Sequence, residues 1–437
     1  MIFVLLTIVL SSAVAQQEQL TLEYASLVFR HGARSPVGYQ SQKAYPNDPW
    51  PPESWPQGYG QLNFNGSRMH FQLGRLVKHR YTVENNLLSL NYTRNELYVR
   101  STDVDRTLMS VLSQLSAIYP PEEDQRLNGT IDWQPIPVHT VAIEREDLIS
   151  PHAMTCQRYD ALLDANKKSA HYKNLTEEYK DFFTFLESVT GMADVNLKTV
   201  WRISDTVIVE RQWGRNPGDW VNDTVADKLQ KLGDEDMYLM YGDSNSEEKR
   251  RLTSGNLVGQ IVARMVNKSK PDNNSLIPGT KLVLYSAHDT TVAAFLSALE
   301  IFDKKQPPYA ATVFVELYSD TSTPKKYFVK TWYLNKNTVD GFDLSDTSKL
   351  LLPMSVRGCD ILCPLDKFIE LTASVVPNDW EKECRNKKSN SSEDHEEIVI
   401  ISVVGGILAL LIMMLIIVFC SYLHRRHHRY QQMKEIQ

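Results

Sequence analysis

The sequence of 437 residues is poor in three things. Glycine (19) and proline (20) are scarce and fall in no repeat, which excludes a collagen-like chain. Positive charge is in deficit, with 47 Lys and Arg against 53 Asp and Glu, so no nucleic-acid partner is expected. Long apolar runs occur only at the two ends, which excludes a multi-span transporter. What is present, 42% hydrophobic and 23% charged residues, is ordinary globular composition and argues against wholesale disorder. The length is enough for a large core.

Near the N-terminus, an apolar run from Ile2 to Leu10 leads to Ala13-Val14-Ala15, the pattern of a secretory signal over residues 1–15, cut before Gln16, although it lacks a basic flank. Near the other end, Ile398 to Leu423 holds no charge and would make about 39 Å of helix, which predicts one transmembrane span. Acidic residues precede it, and Arg425, Arg426 and Arg429 follow it. That asymmetry predicts a single-pass type I protein anchored by one helix, with residues 385–397 as a stalk and 424–437 as a cytosolic tail. The tail carries a net charge of +3 and the rest of the chain −9. Eight sequons (Asn65, Asn91, Asn128, Asn174, Asn222, Asn267, Asn273, Asn390) precede the apolar run, consistent with a glycoprotein.

Cysteine is sparse too. Of the five, Cys420 falls inside the apolar run, and Cys156, Cys359, Cys363 and Cys384 would form two bridges in an oxidising compartment, with three connectivities open. Cys359-x-x-x-Cys363 lacks a second close pair or a His pair, so no metal is expected.

Three short apolar runs read as strands: Leu22 to Phe29, Glu96 to Val99, and Lys281 to Ala287. Their near-continuous hydrophobicity suits a mostly parallel α/β sheet covered by helices, and Thr107 to Tyr119 and Thr290 to Leu299 read as the helices that follow the second and third. Residues 121–255 turn polar and helix-forming, as in an α-helical cap inserted between two parts of one α/β domain, 16–120 and 256–384.

In such sheets ligands bind beyond the carboxyl ends of the strands. The residues there are Arg30-His31-Gly32-Ala33-Arg34, the stretch Arg100 to Arg106, and His288-Asp289. Clustered guanidinium groups in an acidic chain call for an anion, and their fork geometry matches phosphate oxygens. His31 between Arg30 and Arg34 should stay neutral and nucleophilic, and Asp289 facing a leaving oxygen could act as general acid, which predicts an acid optimum without a cofactor. Arg106, with Asp103 and Asp105, reads as a helix-start ion pair at least as readily as a substrate contact.

Arg30-His31-Gly32-Ala33-Arg34-Ser35-Pro36 and Ser286-Ala287-His288-Asp289-Thr290-Thr291 resemble the paired signatures of the histidine acid phosphatases, and Val99 to Met109 with Pro135 to Val141 looks particularly like the lysosomal, prostatic and testicular branch. The resemblance implies an α/β domain with a helical cap, often a homodimer, hydrolysing phosphate monoesters through a phosphohistidine. It implies His31 as nucleophile, Asp289 as proton donor, and Arg30, Arg34, Arg100 and His288 as phosphate ligands. It also implies the pairings Cys156 with Cys384 and Cys359 with Cys363. Tyr430-Gln431-Gln432-Met433 is similar to an internalisation signal read by adaptors, so the expected location is lysosome, endosome or plasma membrane, with the catalytic domain luminal or extracellular. Two rivals use the same residues: an inositol-polyphosphate (phytase-like) phosphatase, and a catalytically silent membrane receptor of the same fold.

Overall fold

Strand β1 (Thr21–Arg30) sends alternate side chains to opposite faces, Tyr24 and Val28 into one core and Ala25, Leu27 and Phe29 into another. This two-sided burial makes it a central strand, as its unbroken hydrophobicity suggests. The computed structural model describes residues 20–38, 42–150, 156–243, 246–270, 279–322, 324–336, 339–385 and 411–426. The chain divides into two units, residues 1–380 and 381–437.

After β1 come α1 (Phe64–Lys78), β2 (Leu97–Ser101) and α2 (Asp105–Ile118). A helical stretch follows with α3 (Gln157–Asn166), α4 (Ala170–Glu178), α5 (Lys180–Thr190), α6 (Trp201–Gln212), α7 (Asp223–Tyr241) and α8 (Ser246–Ser269). Then come β3 (Leu282–Ala287), α9 (Asp289–Ala298), β4 (Thr312–Ser319), β5 (Tyr327–Leu334), β6 (Leu352–Met354), β7 (Cys363–Pro364) and α10 (Leu365–Thr372).

The sheet runs β2-β3-β1-β4-β5-β6, with β7 also paired to β5. Only the β2–β3 and β3–β1 pairings are parallel, so the sheet is mixed rather than mostly parallel. For β4 and β5 the reason is local: the link between them is too short for a crossover helix and can close only an antiparallel hairpin.

Helices α1 and α2 cover one face of the sheet through Leu73, Leu76, Val111 and Leu115. Helices α8, α9 and α10 cover the other through Leu257, Ile261, Phe295 and Phe368. Each such buried side chain contributes about 1.5–3 kcal/mol of transfer free energy, so both layers are held strongly to the sheet. A third core lies among α5, α6 and α7, built on Phe182, Leu186, Ile203 and Leu229.

The expected transmembrane helix is not upheld: among the described residues no helix is long and apolar enough to cross a membrane. The described helical stretch at residues 411–426 holds sixteen residues and ends in Arg425 and Arg426. Residues 398–410 of the expected span lie outside the described residues. The signal segment, the sequons Asn273 and Asn390, and the tail residues Tyr430 and Met433 lie outside the described residues. The asparagines of the other six sequons are exposed. Cys359 and Cys363 are bridged, Cys156 and Cys384 are each disulfide-bonded, and Cys420 is free.

Candidate active site

Parallel pairing sets Arg30 beside Ala287, so the residues just past β1 and β3 emerge together at the carboxyl edge of the sheet. His31 and His288 meet there edge to face, with ring centroids 5.7 Å apart. The turn after His31 requires glycine for a steric reason. A Cβ on Gly32 would lie 2.3 Å from the Gly66 carbonyl oxygen in the first turn of α1, closer than any side chain tolerates. This close approach fixes the backbone carrying His31.

His31 Nδ1 lies 2.9 Å from the Gly32 carbonyl oxygen, which can only accept. Nδ1 therefore carries the ring proton, and Nε2 keeps its lone pair. Burial is the largest influence holding this imidazole well below its ordinary pKa, followed by the positive charges of Arg106, Arg30 and Arg34. His31 is thus neutral even under acidic conditions.

The arginines are held by carboxylates and by an aromatic face. Arg30 pairs with Asp289 at 2.9 Å, donates to the Pro307 carbonyl at 2.6 Å, and stacks 4.2 Å from the Tyr309 ring centroid. Arg34 makes a two-pronged contact to Asp205 of α6 at 2.8 and 3.0 Å. Arg106, in the first turn of α2, places Nη2 3.4 Å from His288 Nδ1, and burial together with Arg34 lowers its pKa to about 10. His288 Nε2 lies 3.1 Å from the Thr102 hydroxyl. Burial and Arg106 hold His288 down to about 3 despite the opposing pull of Asp289.

Asp289 caps this arrangement at the start of α9. Burial alone would raise its carboxyl, but Arg30 and Arg34 outweigh burial and leave it lowered to about 2. Its two oxygens accept from the Thr290 backbone N–H at 2.9 Å and from Gln306 Nε2 at 3.2 Å. In the free site it is therefore held as a carboxylate.

A cavity of about 560 Å³ opens over these groups, lined by His31, Arg34, Arg106, His288 and Asp289 from the sheet side, and by Trp201, Asp205, Asp236, Met237 and Met240 from α6 and α7. Of the residues expected to bind phosphate, Arg34 and His288 line it, Arg30 is tied to it through the ion pair with Asp289, and Arg100 takes no part. Strand alternation puts Arg100 on the same face of β2 as Tyr98, where it pairs with buried Glu146 at 2.6 Å. Arg106 occupies the place assigned to it. Its signal was the position one turn beyond the end of β2, where the crevice of an open α/β sheet lies. Asp205, Asp236 and Gln306 carried no such signal, because α6, α7 and the segment after α9 reach the crevice only through tertiary packing.

The chain matches the histidine phosphatase superfamily (branch 2) over residues 21–333 and belongs to that family. It is 37% identical over 365 residues to lysosomal acid phosphatase of Homo sapiens, covering 84% of this chain and 80% of that protein. It is 36% identical over 370 residues to prostatic acid phosphatase of Bos taurus, covering 84% and 89%. Among solved structures, phytase from Citrobacter braakii superposes with a TM-score of 0.62 at 17% identity over 83% of this chain and 99% of that one, a likeness of fold. Hafnia alvei phytase in complex with tartrate gives 0.62 at 17% over 84% and 99%.

Proposed function

We propose that the chain is an acid phosphatase that hydrolyses phosphate monoesters, acting in the lysosome or another acidic compartment of the secretory route. The observation that carries this reading is a buried, neutral imidazole with Nε2 unprotonated, at a cavity that Arg34 and Arg106 line and that Arg30 joins through its ion pair to Asp289. The family and the names of its lysosomal and prostatic relatives support it, and the exposed sequons fit a glycosylated chain.

In the first step His31 Nε2 attacks phosphorus, the P–N bond forms and the P–O bond to the alcohol breaks. Arg30, Arg34, Arg106 and His288 hold the phosphoryl oxygens. The departing alkoxide needs a proton, which Asp289 supplies. A bound phosphoryl group draws Arg30 and Arg34 toward itself and adds negative charge beside Asp289. Both changes raise the proton affinity of a carboxyl that is ionised in the free site. The proton enters with the substrate monoanion. In the second step Asp289 takes a proton from water as its oxygen attacks phosphorus and the P–N bond breaks, restoring His31. Low pH favours the reaction by supplying that proton, while His31 stays neutral.

The phytase-like alternative is less well served, because Asp205 and Asp289 line the cavity that additional phosphates would occupy. Purified protein should release phosphate from simple monoesters at pH 5 and be trapped as an acid-labile, base-stable phosphoenzyme. His31→Ala should lose turnover by roughly 10⁴-fold or more together with the trapped species. Label retained in that variant would remove His31 as the nucleophile.

A further inference from the structure

Three carboxyl groups line the cavity, and they are not equivalent. Asp289 and Asp205 each hold an arginine, Arg30 and Arg34 respectively. Asp236, from α7, makes no hydrogen bond or ion pair among the described residues. It faces a cavity whose other charged groups are arranged to receive an anion. Ionised, it would place an uncompensated negative charge in the same space as the phosphate; neutral, it would not.

The groups around it give no compensation. Asp289 of α9 faces it, Asp205 of α6 lines the same cavity, and Tyr159 of α3, Tyr172 of α4 and Tyr241 of α7 lie within electrostatic reach. Lys249 of α8 turns its ammonium to the Leu239 carbonyl at 3.0 Å. Arg34, Arg106, His31 and His288 stand on the sheet side of the cavity. Burial, and then the charge of Asp289, push the Asp236 carboxyl up to about 7. A bound phosphate adds to that push.

We propose that Asp236 sets the alkaline limit of the reaction: as a neutral carboxyl it admits the phosphate group, and once ionised it repels that group from the cavity. It is a positioning residue that acts on substrate binding through its charge, and this inference rests on the phosphatase reading of the site. Asp289 transfers the proton, and Asp236 limits the pH range over which the substrate enters.

The test compares full-length wild type and Asp236→Asn by kcat/KM for one phosphomonoester from pH 4 to 9, each profile scaled to its own value at pH 5. Using one substrate cancels the substrate's own ionisation. A group titrating near 7 leaves about a tenth of wild type in the neutral form at pH 8. The Asn variant should therefore hold roughly tenfold more of its scaled kcat/KM at that pH, carried by KM. Asp236→Glu should restore the alkaline limb. Inorganic phosphate binding followed by calorimetry reads the same pair without turnover: between pH 6 and 8 the affinity of wild type should fall relative to that of the Asn variant, a ratio in which the ionisation of phosphate itself cancels. Coincident limbs, or parallel loss of phosphate affinity in both proteins, would overturn the inference and leave the phosphatase reading standing. A wild type that binds phosphate with the expected pH dependence but never turns over would overturn that reading and leave the role of Asp236 standing.

Discussion

Two buried arginine clusters in this molecule look alike in composition and differ in function. Around Glu316 of β4, Arg80 donates through Nε and Nη2 at 2.7 Å, and Tyr81, Tyr318 and Trp332 donate at 2.8 Å. Arg80 Nη1 reaches the Thr347 hydroxyl at 3.0 Å, so every guanidinium nitrogen is used and the cluster is sealed. At the cavity, by contrast, the Nε atoms of Arg30, Arg34 and Arg106 are buried without a partner, and three arginines face the two carboxylates paired to them. A saturated cluster holds the fold together; one with unused donors and an excess of positive charge is ready to receive an anion. Arg100 leaves its Nε unpartnered as well, but buried Glu146 matches its charge one to one, so it carries no excess of positive charge.

That contrast can be broken most strongly at Arg80. Arg80→Met strands a buried carboxylate with its remaining donors and should cost about 3–5 kcal/mol of stability, read as a lower denaturant midpoint, with KM for a phosphomonoester unchanged. An undiminished midpoint would mean that Glu316 does not depend on its partner.

The next effect should fall the other way. Arg106→Ala should lower kcat/KM by roughly 10²–10³-fold, as expected for losing one charged donor to the phosphoryl group, while the melting temperature holds. Arg100→Ala should leave kcat/KM within about threefold and lower the melting temperature, since Glu146 loses its buried partner. Reversal of this pair would return Arg100 to the phosphate site and remove Arg106.

The smallest effect concerns Asp48 and Glu210. Both Glu210 oxygens and Asp48 Oδ2 are buried with no donor, a conflict that one shared proton resolves. Burial, then the charge of Asp48, push Glu210 up to about 9. A carboxyl raised in this way binds its proton more tightly folded than unfolded, where its value is about 4.3. Its stabilising contribution is complete below that value and is lost as pH climbs toward 9. Melting temperature should therefore decline by a few degrees between pH 5 and 8 in the wild type and decline less in Glu210→Gln. Equal slopes would place the proton elsewhere.

Much of the sheet-side wall was legible in the chain because local rules govern it. The apolar runs of β1 and β3 mark central strands, and the residues just past them, His31, His288 and Asp289, emerge at the crevice by strand direction alone. Arg100 was misplaced because one residue of alternation along β2 decides which face a side chain takes, and the motif does not say where the strand stops. The antiparallel half of the sheet escaped because the apolar run of β4 has no periodicity that separates parallel from antiparallel pairing.

By itself the amino-acid sequence determined the placing of His31, its arginine neighbours and the carboxyl next to His288, since these are adjacent in the chain and carried rigidly by strand ends. Only the tertiary structure decided that Arg106 and not Arg100 lines the cavity, that Asp289 is held as a carboxylate, and that Asp205 and Asp236 line it from α6 and α7. Those outcomes depend on burial and on charges brought together from distant parts of the chain, and neither is a property of any local stretch of residues.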